Sequence, residues 1–360
     1  MKELLLASTL LALLPTSIPA AVSSTQTINS PAELMSALKA AKPSTIIRLA
    51  PGEYRGLRFD DLALKNVEIT SADPTRPAVL GPFAINRSTG LTFRNLEFSN
   101  AGVTDVHWSW RVQNSKDIAF DKLDIHGSLD GNPQNDRQGI QIRYSSGIQI
   151  TNSEFHELYR AISPSETSNI LIADNQFHDN ARTGIFSSNV QHVRISNNRF
   201  TDSYPVEGDH MDAIAFTRIG PTNTTKDVLV SGNVITRGKG RATQGIFFRD
   251  STKGKSFFQD IEIRDNLIIG MGYNGIYINN AENVIVENNT VVAYPGKSNN
   301  SWILLLYVRG GLVTGNRAPM ISTKMPNNVN VIEKSNKIIS PVKDEGRAAL
   351  AEYAKRTQTR

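Results

Sequence analysis

A hexapeptide of the form Ile-x-x-Asn-x-(Phe/Ile/Val) recurs along the 360 residues and limits what the chain can fold into more than any other feature. Close copies start at Ile172, Ile195, Val230, Ile263 and Val286, and looser ones at Phe93, Phe120, Ile150 and Val313. From Asn175 the successive Asn positions, through Asn198, Asn233, Asn266, Asn289 and Asn316, are 23, 35, 33, 23 and 27 residues apart. A period in the low twenties is that of a solenoid, in which each repeat is one supersecondary unit stacked on the next. Within the copies, apolar and polar residues alternate with period two, so the segments read as strands with one buried face.

A further strand precedes each copy and opens with a small residue before an apolar one: Gly139-Ile140, Ala161-Ile162, Gly184-Ile185, Ala213-Ile214, Gly245-Ile246 and Gly275-Ile276. Two strand columns at fixed phase predict coils about 4.8 Å apart, the distance between hydrogen-bonded strands. Asn at a fixed corner can then stack into a ladder of side-chain amides. The expected fold is all-β, a single-stranded right-handed parallel β-helix with a short N-terminal capping helix. Ser30-Pro31-Ala32-Glu33 supplies a capping box with Pro at the first helical position. Residues 22–342 are read as the β-helix, and 343–360 as a C-terminal polar helix or tail.

Residues 1–21 combine a charged start, an apolar run from Leu4 to Leu14 and Pro19-Ala20-Ala21, the pattern of a secretory signal peptide. An exported, periplasmic or extracellular location without a membrane anchor is expected. The chain has no cysteine, so neither disulfides nor thiol catalysis is available. A formal charge of +5 favours acidic partners, yet no Lys/Arg cluster alternates with aromatics as nucleic-acid binding would require. The partner expected is an acidic polysaccharide, bound by a monomer.

The two longest Asn intervals flank one coil and carry about ten extra residues each; insertions of this kind form loops on one face of a solenoid. The first leads into Gly208-Asp209-His210-Met211-Asp212. Two carboxylates around an imidazole can raise its pKa, fix its tautomer and aim it at a proton. Asp209 and Asp212 capping turns beside a solvated His210 is the bland alternative.

Phasing each coil on its small residue turns Gln141, Ser163, Phe186, Ala215, Phe247 and Tyr277 outward, with Phe186, Phe247 and Tyr277 as an aromatic column for sugar faces or for packing under the loops. Two residues further on stand Arg143, Ser165, Ser188, Thr217, Arg249 and Asn279. Just before the strands lie Arg137, Arg160, Arg182, Asp212, Gln244 and Asn274, a basic shelf with acid and imidazole at its centre. Arg249 is placed to clamp a carboxylate, although seven coil positions separate it from His210, about 20 Å along a straight strand. The candidate catalytic set is His210, Arg249, Asp212, Asp209 and Arg182; the candidate substrate contacts are Arg143, Arg160, Phe186, Gln244, Phe247, Tyr277 and Asn279. No metal site is assigned. Calcium at Asp209, Asp212 or Glu207 stays open as a cofactor, without an EF-type loop to support it. His156 and His178 share one repeat phase, which predicts that they stack.

With the capping helix, the repeat and the phrase Ala50-Pro51-Gly52-Glu53-Tyr54, the chain resembles the pectate-lyase-like superfamily of right-handed parallel β-helices, including lyases of the chondroitinase B and alginate lyase type. Asp209-His210-Met211-Asp212, followed one coil later by Gly245 to Arg249, is similar to the Asp-Pro-His-Asp motif and later Arg of periplasmic alginate C5-epimerases, with Met211 after the His where that family has Pro before it. The resemblance implies that His210 is the base and that Arg249 neutralises a uronate carboxylate. The expected activity is that of a polysaccharide lyase cleaving at uronate by β-elimination, with Tyr159, Tyr273 or Arg182 as the acid. A uronate C5-epimerase is the alternative. A glycoside hydrolase using Asp209, Asp212 and Asp250, and a non-catalytic glycan-binding β-helix, complete the set.

Overall fold

The computed structural model describes residues 27–105, 107–209, 211–218, 225–250, 258–296 and 301–358. The expected signal segment and His210 lie outside the described residues. Every strand pairing is parallel, and each strand pairs with its counterpart one coil away, so the chain is a β-helix. The described residues form three strand columns, where two were expected, and in Asn274–Glu287 and Trp302–Thr314 the first two run together as one strand. Two of the columns merge into one 22-stranded sheet, and the third forms a separate 12-stranded sheet.

The third column arises inside the hexapeptide. Its first residue ends one strand, as Ile172 does in Ser168–Ala173, and its last begins the next, as Phe177 does in Gln176–His178. Between them the chain turns at a residue with positive φ: Asp174, Asn197, Gly232, Asp265, Asn288 and Gly315 in successive coils. Asn, Asp and Gly are the residues that enter the left-handed region at least cost.

The conserved-phase Asn follows that turn and is buried. The Asn175 backbone N–H and Nδ2 both donate to Asn198 Oδ1 at 3.0 Å, while Asn175 Nδ2 also donates to Ile150 O at 2.9 Å. The same pattern repeats through Asn198, Asn233, Asn266, Asn289 and Asn316 to Asn336. Asn336 escapes the sequence pattern because Glu333 stands at the first position of its hexapeptide. Inside the coil, apolar residues stack in register, with Phe155, Phe177 and Phe200 rings 4.9 and 4.5 Å apart. On the outside of the third column His126, His156 and His178 also stack, each with Nε2 on a carboxylate of the preceding coil: Glu97, Asp124 and Glu154.

Helix α1, Pro31–Ala40, closes the N-terminal end with Leu34 and Leu38 fully buried, and Ser30 caps it as the sequence implied. Helix α2, Arg347–Gln358, packs against the flank of the third column, where Tyr353 is buried with Leu267, Ile269 and Val292. It does not close the far end, where Val329, Ile332 and Ile338 are exposed.

Deleting one mid-ladder amide strands several buried groups together. Asn233→Ala removes the acceptor for the N–H and Nδ2 of Asn198 and the donor to Ile195 O. An unsatisfied buried group costs about 1–3 kcal/mol, so the variant is expected to lose roughly 3 kcal/mol or more, read from the shift in denaturant midpoint. A loss below about 1 kcal/mol would remove the ladder from its central place in stability.

Candidate functional site

Small residues at the strand starts let the chain pass from the third column back to the first. A Cβ on Gly245 would lie 2.3 Å from Gly275 O, and one on Gly139 2.4 Å from Ala161 O. These close passages fix the phase of the strands that follow and hence which residues face outward. Register places Phe186, Ala215, Phe247 and Tyr277 in one outward row and Ser188, Thr217 and Arg249 in another. Counting back from Ile162, Ile185 and Ile214, which are in register, Thr183 is level with Arg160 and Asp212. Arg182 therefore sits one residue outside the row expected for it.

The first insertion is held from two sides. Arg241 N–H donates to Ser203 O at 2.8 Å and its guanidinium to Pro205 O, while the Gln134 side chain reaches Tyr204 O and Pro205 O. Beside it opens a groove of about 690 Å³, lined by Asp209, Met211 and Asp212 at one side, Phe186 and Ala215 along its floor, and Gln244, Phe247, Arg249 and Tyr273 from the following coils. A second hollow of about 470 Å³ continues it through Tyr277, Asn279, Trp302 and Tyr307, sharing Phe247, Arg249 and Asn274. Asp209, Met211 and Arg249 line this one groove, and Arg249 opposes the upward shift of the Asp212 carboxyl.

Arg182 and Asp209 form a bidentate pair, with Nε and Nη2 at 2.5 and 2.7 Å from the carboxylate. Arg182 also lies over the Tyr159 ring at 5.5 Å. Asp212 is buried, and its Oδ1 has no hydrogen-bond partner among the described residues. Burial pushes its carboxyl up to about 8; the Asp209 charge adds to this, while Arg249 and Arg160 oppose it. Burial therefore favours the protonated form of Asp212. Burial lowers Arg160 to about 10, with Arg182 contributing, and its guanidinium stacks on Phe186 at 4.5 Å.

Of the remaining sequence candidates, Gln244 lines the groove and accepts from Asn274 Nδ2, which leaves Asn274 Oδ1 to accept from Trp302 Nε1 at 2.6 Å. Asn279 Nδ2 donates to the Tyr277 hydroxyl at 3.0 Å. Arg143 is not brought in: its guanidinium donates to the Tyr144 hydroxyl, and four coils separate it from Arg249 in their shared row. Sequence reasoning missed Trp302 and Tyr307. The signal for Trp302 was its place in register with Asn274. A cluster that could hold a cation, Asp130, Asp136 and Glu157, shares no residue with the groove.

The raised Asp212 pKa carries a stability consequence. Between about 3.8 and about 8 the folded carboxyl binds a proton that the unfolded one has released, so stability falls as pH rises through this window and levels off above it. Asp212→Asn removes the titration. Melting profiles from pH 4 to 9 should show the variant gaining on the parent as pH rises; parallel profiles would mean that Asp212 is ionised in the fold.

The family model described as right-handed beta helix region matches residues 83–233. No curated protein sequence matches the chain. Among solved structures, the A-module of the Azotobacter vinelandii mannuronan C-5 epimerase AlgE6 superposes with a TM-score of 0.59 at 13% identity, covering 86% of this chain and 91% of that one. The AlgE4 A-module of the same organism gives 0.54 at 14%, covering 86% and 91%. PfbA, a surface adhesin of Streptococcus pneumoniae, gives 0.51 at 16%, covering 85% and 88%. These likenesses establish the fold as a right-handed parallel β-helix, one shared by carbohydrate-modifying enzymes and by an adhesin.

Proposed function

We propose that the chain is an enzyme acting on an anionic, uronate-containing polysaccharide, and that its first step is removal of the uronate C5 proton. The observation that carries this reading is Asp212: a buried carboxyl, its Oδ1 without a hydrogen-bond partner among the described residues, in a groove that also holds Arg249 and the ion-paired Asp209. Perturbed acids of this kind concentrate where proton transfer is the chemistry. C5 deprotonation needs a base, a positive group for the charge that develops on the carboxylate, and a proton donor. His210, between the groove-lining Asp209 and Met211, is assigned the base; Arg249 neutralises the carboxylate; Asp212 is the donor nearest the base segment. An exported location, expected from residues 1–21, fits a glycan substrate.

Elimination of the 4-linked sugar follows directly from the carbanion, and β-elimination by a lyase is the outcome we infer. Asp212 is the donor in this reading; of the other acids named for it, Arg182 is committed to Asp209 and Tyr159 lies beneath Arg182, whereas Tyr273 is exposed on the groove wall. Tyr273 is also what favours C5-epimerisation as the second reading, because it gives the groove lined by Asp209 and Met211 a second, exposed proton-carrying group. That two of the fold neighbours are named mannuronan C-5 epimerases agrees with this reading. The hydrolase reading loses Asp250 as a partner for Asp212. Asp212 is in register with Gln244, six residues before Asp250, or about 20 Å along the strand, far beyond the separation at which glycosidase carboxyls cooperate.

Incubating the protein with polymannuronate, polyguluronate, polygalacturonate and chondroitin in D₂O separates the outcomes. A lyase yields ultraviolet-absorbing unsaturated uronate, and an epimerase yields deuterium at C5 without chain cleavage. His210→Ala is expected to lower either rate by roughly 10²–10⁴-fold, and Arg249→Ala by about 10²–10³-fold. Neither unsaturation nor C5 deuterium on any polyuronate would defeat the enzymatic reading and favour a glycan-binding β-helix.

A further inference from the structure

The outward aromatic row is a stack with one ring missing. Phe186, Ala215, Phe247 and Tyr277 are in register on four successive coils. Where neighbouring positions are both aromatic, the rings stand face to face at the coil spacing: Phe247 and Tyr277 have centroids 4.8 Å apart and planes 20° from parallel. Phe186 has one face covered by Arg160, from the coil before it. Phe247 has one face covered by Tyr277, from the coil after it. The other face of each ring is on the side of Ala215, the residue between them in register; Ala215 is itself buried at their base, and all three line the main groove.

The gap spans two coil spacings, about 9–10 Å. A saturated ring in contact with an aromatic plane on each side needs roughly 7–8 Å between the planes, and the pucker of a pyranose chair fills most of the rest. Aromatic faces recognise the C–H surface of a sugar, and burying them this way uses the apolar payload of each ring. Toward one end of the slot stands Asp212, three residues before Ala215. Toward the other stands Arg249, level with Thr217 two residues after it.

We propose that the space over Ala215 is a subsite for a single pyranose ring, a uronate whose carboxylate faces Arg249, and that the small side chain at 215 determines which glycans enter. This assignment rests on the uronate reading above and adds to it the place where one sugar is held. Ala215 is a specificity residue here and takes no part in proton transfer.

The test is to complete the stack. Ala215→Phe supplies the missing ring at the spacing already seen for Phe247 and Tyr277, so the variant should melt at or above the parent temperature while closing the slot. Calorimetric titrations with hexasaccharides of mannuronate, guluronate and galacturonate, and with cellohexaose as the neutral control, use the His210→Ala background to prevent turnover. Ala215→Phe is expected to weaken the uronate hexasaccharide by more than about tenfold, and Phe247→Ala, which removes one wall, by roughly 3–10-fold. Should Ala215→Phe not fold, Ala215→Leu fills half the slot and is expected to weaken binding in the same direction.

Unchanged affinity in a folded Ala215→Phe protein overturns the subsite and leaves the proposed activity standing. Cellohexaose binding as tightly as the uronates overturns the carboxylate assignment. If no hexasaccharide binds the parent and no polyuronate is altered by the wild type, the proposed function falls and the subsite falls with it.

Discussion

The buried amide ladder is the interaction on which the rest of the structure depends. Where the chain turns from the second strand column to the third, a backbone N–H is carried out of water with no strand partner of its own, and such a group must be satisfied. Each Asn side chain satisfies it for the coil before while donating to the coil after. Every rung therefore has a direction and a fixed height. The ladder holds coils in phase across intervals of 35 and 33 residues as firmly as across intervals of 23. Because the extra residues leave at other corners, the groove loops can be long without disturbing the stack.

This explains what could be read in the sequence. The Asn positions, the apolar core and the capping box each have one dominant physical role, and a one-residue shift would expose the core or leave a donor unpaired. The third strand column was equally encoded, in the Asp, Asn or Gly that recurs before each ladder Asn, but with the hexapeptide read as one unit that turn passed for part of a strand. The outward row from Phe186 to Tyr277 followed from strand alternation alone. Arg143 followed from the same alternation and shares its row with Arg249, but a row says nothing of where along the solenoid a groove opens. That depends on the inserted segment held by Arg241 and Gln134, whose contacts are between residues far apart in sequence.

Electrostatics in the groove shows the same division between local and collective properties. Asp209 and Asp212 look equivalent in the sequence as the acids bracketing His210. The fold makes them opposites. Asp209 is met by a planar guanidinium with two donors, whereas Asp212 is buried with an oxygen unpartnered among the described residues, and burial pushes its carboxyl up. Arg182 reaches Asp209 from one residue outside the row that holds Asp212, and burial is what sets Asp212 apart.

Strand alternation allows scaffold and site to vary independently within a single strand. In Asp212–Thr217 the inward Phe216 continues the core stack, with its ring 4.3 Å from Phe248, while the outward Ala215 next to it interrupts the aromatic row. A gap in the interior would leave a cavity and cost stability. On the outer face a small residue interrupts the aromatic row without opening a cavity in the core. A solenoid can therefore change its recognition surface one outward residue at a time while the interior stack and the Asn ladder keep every coil at its height.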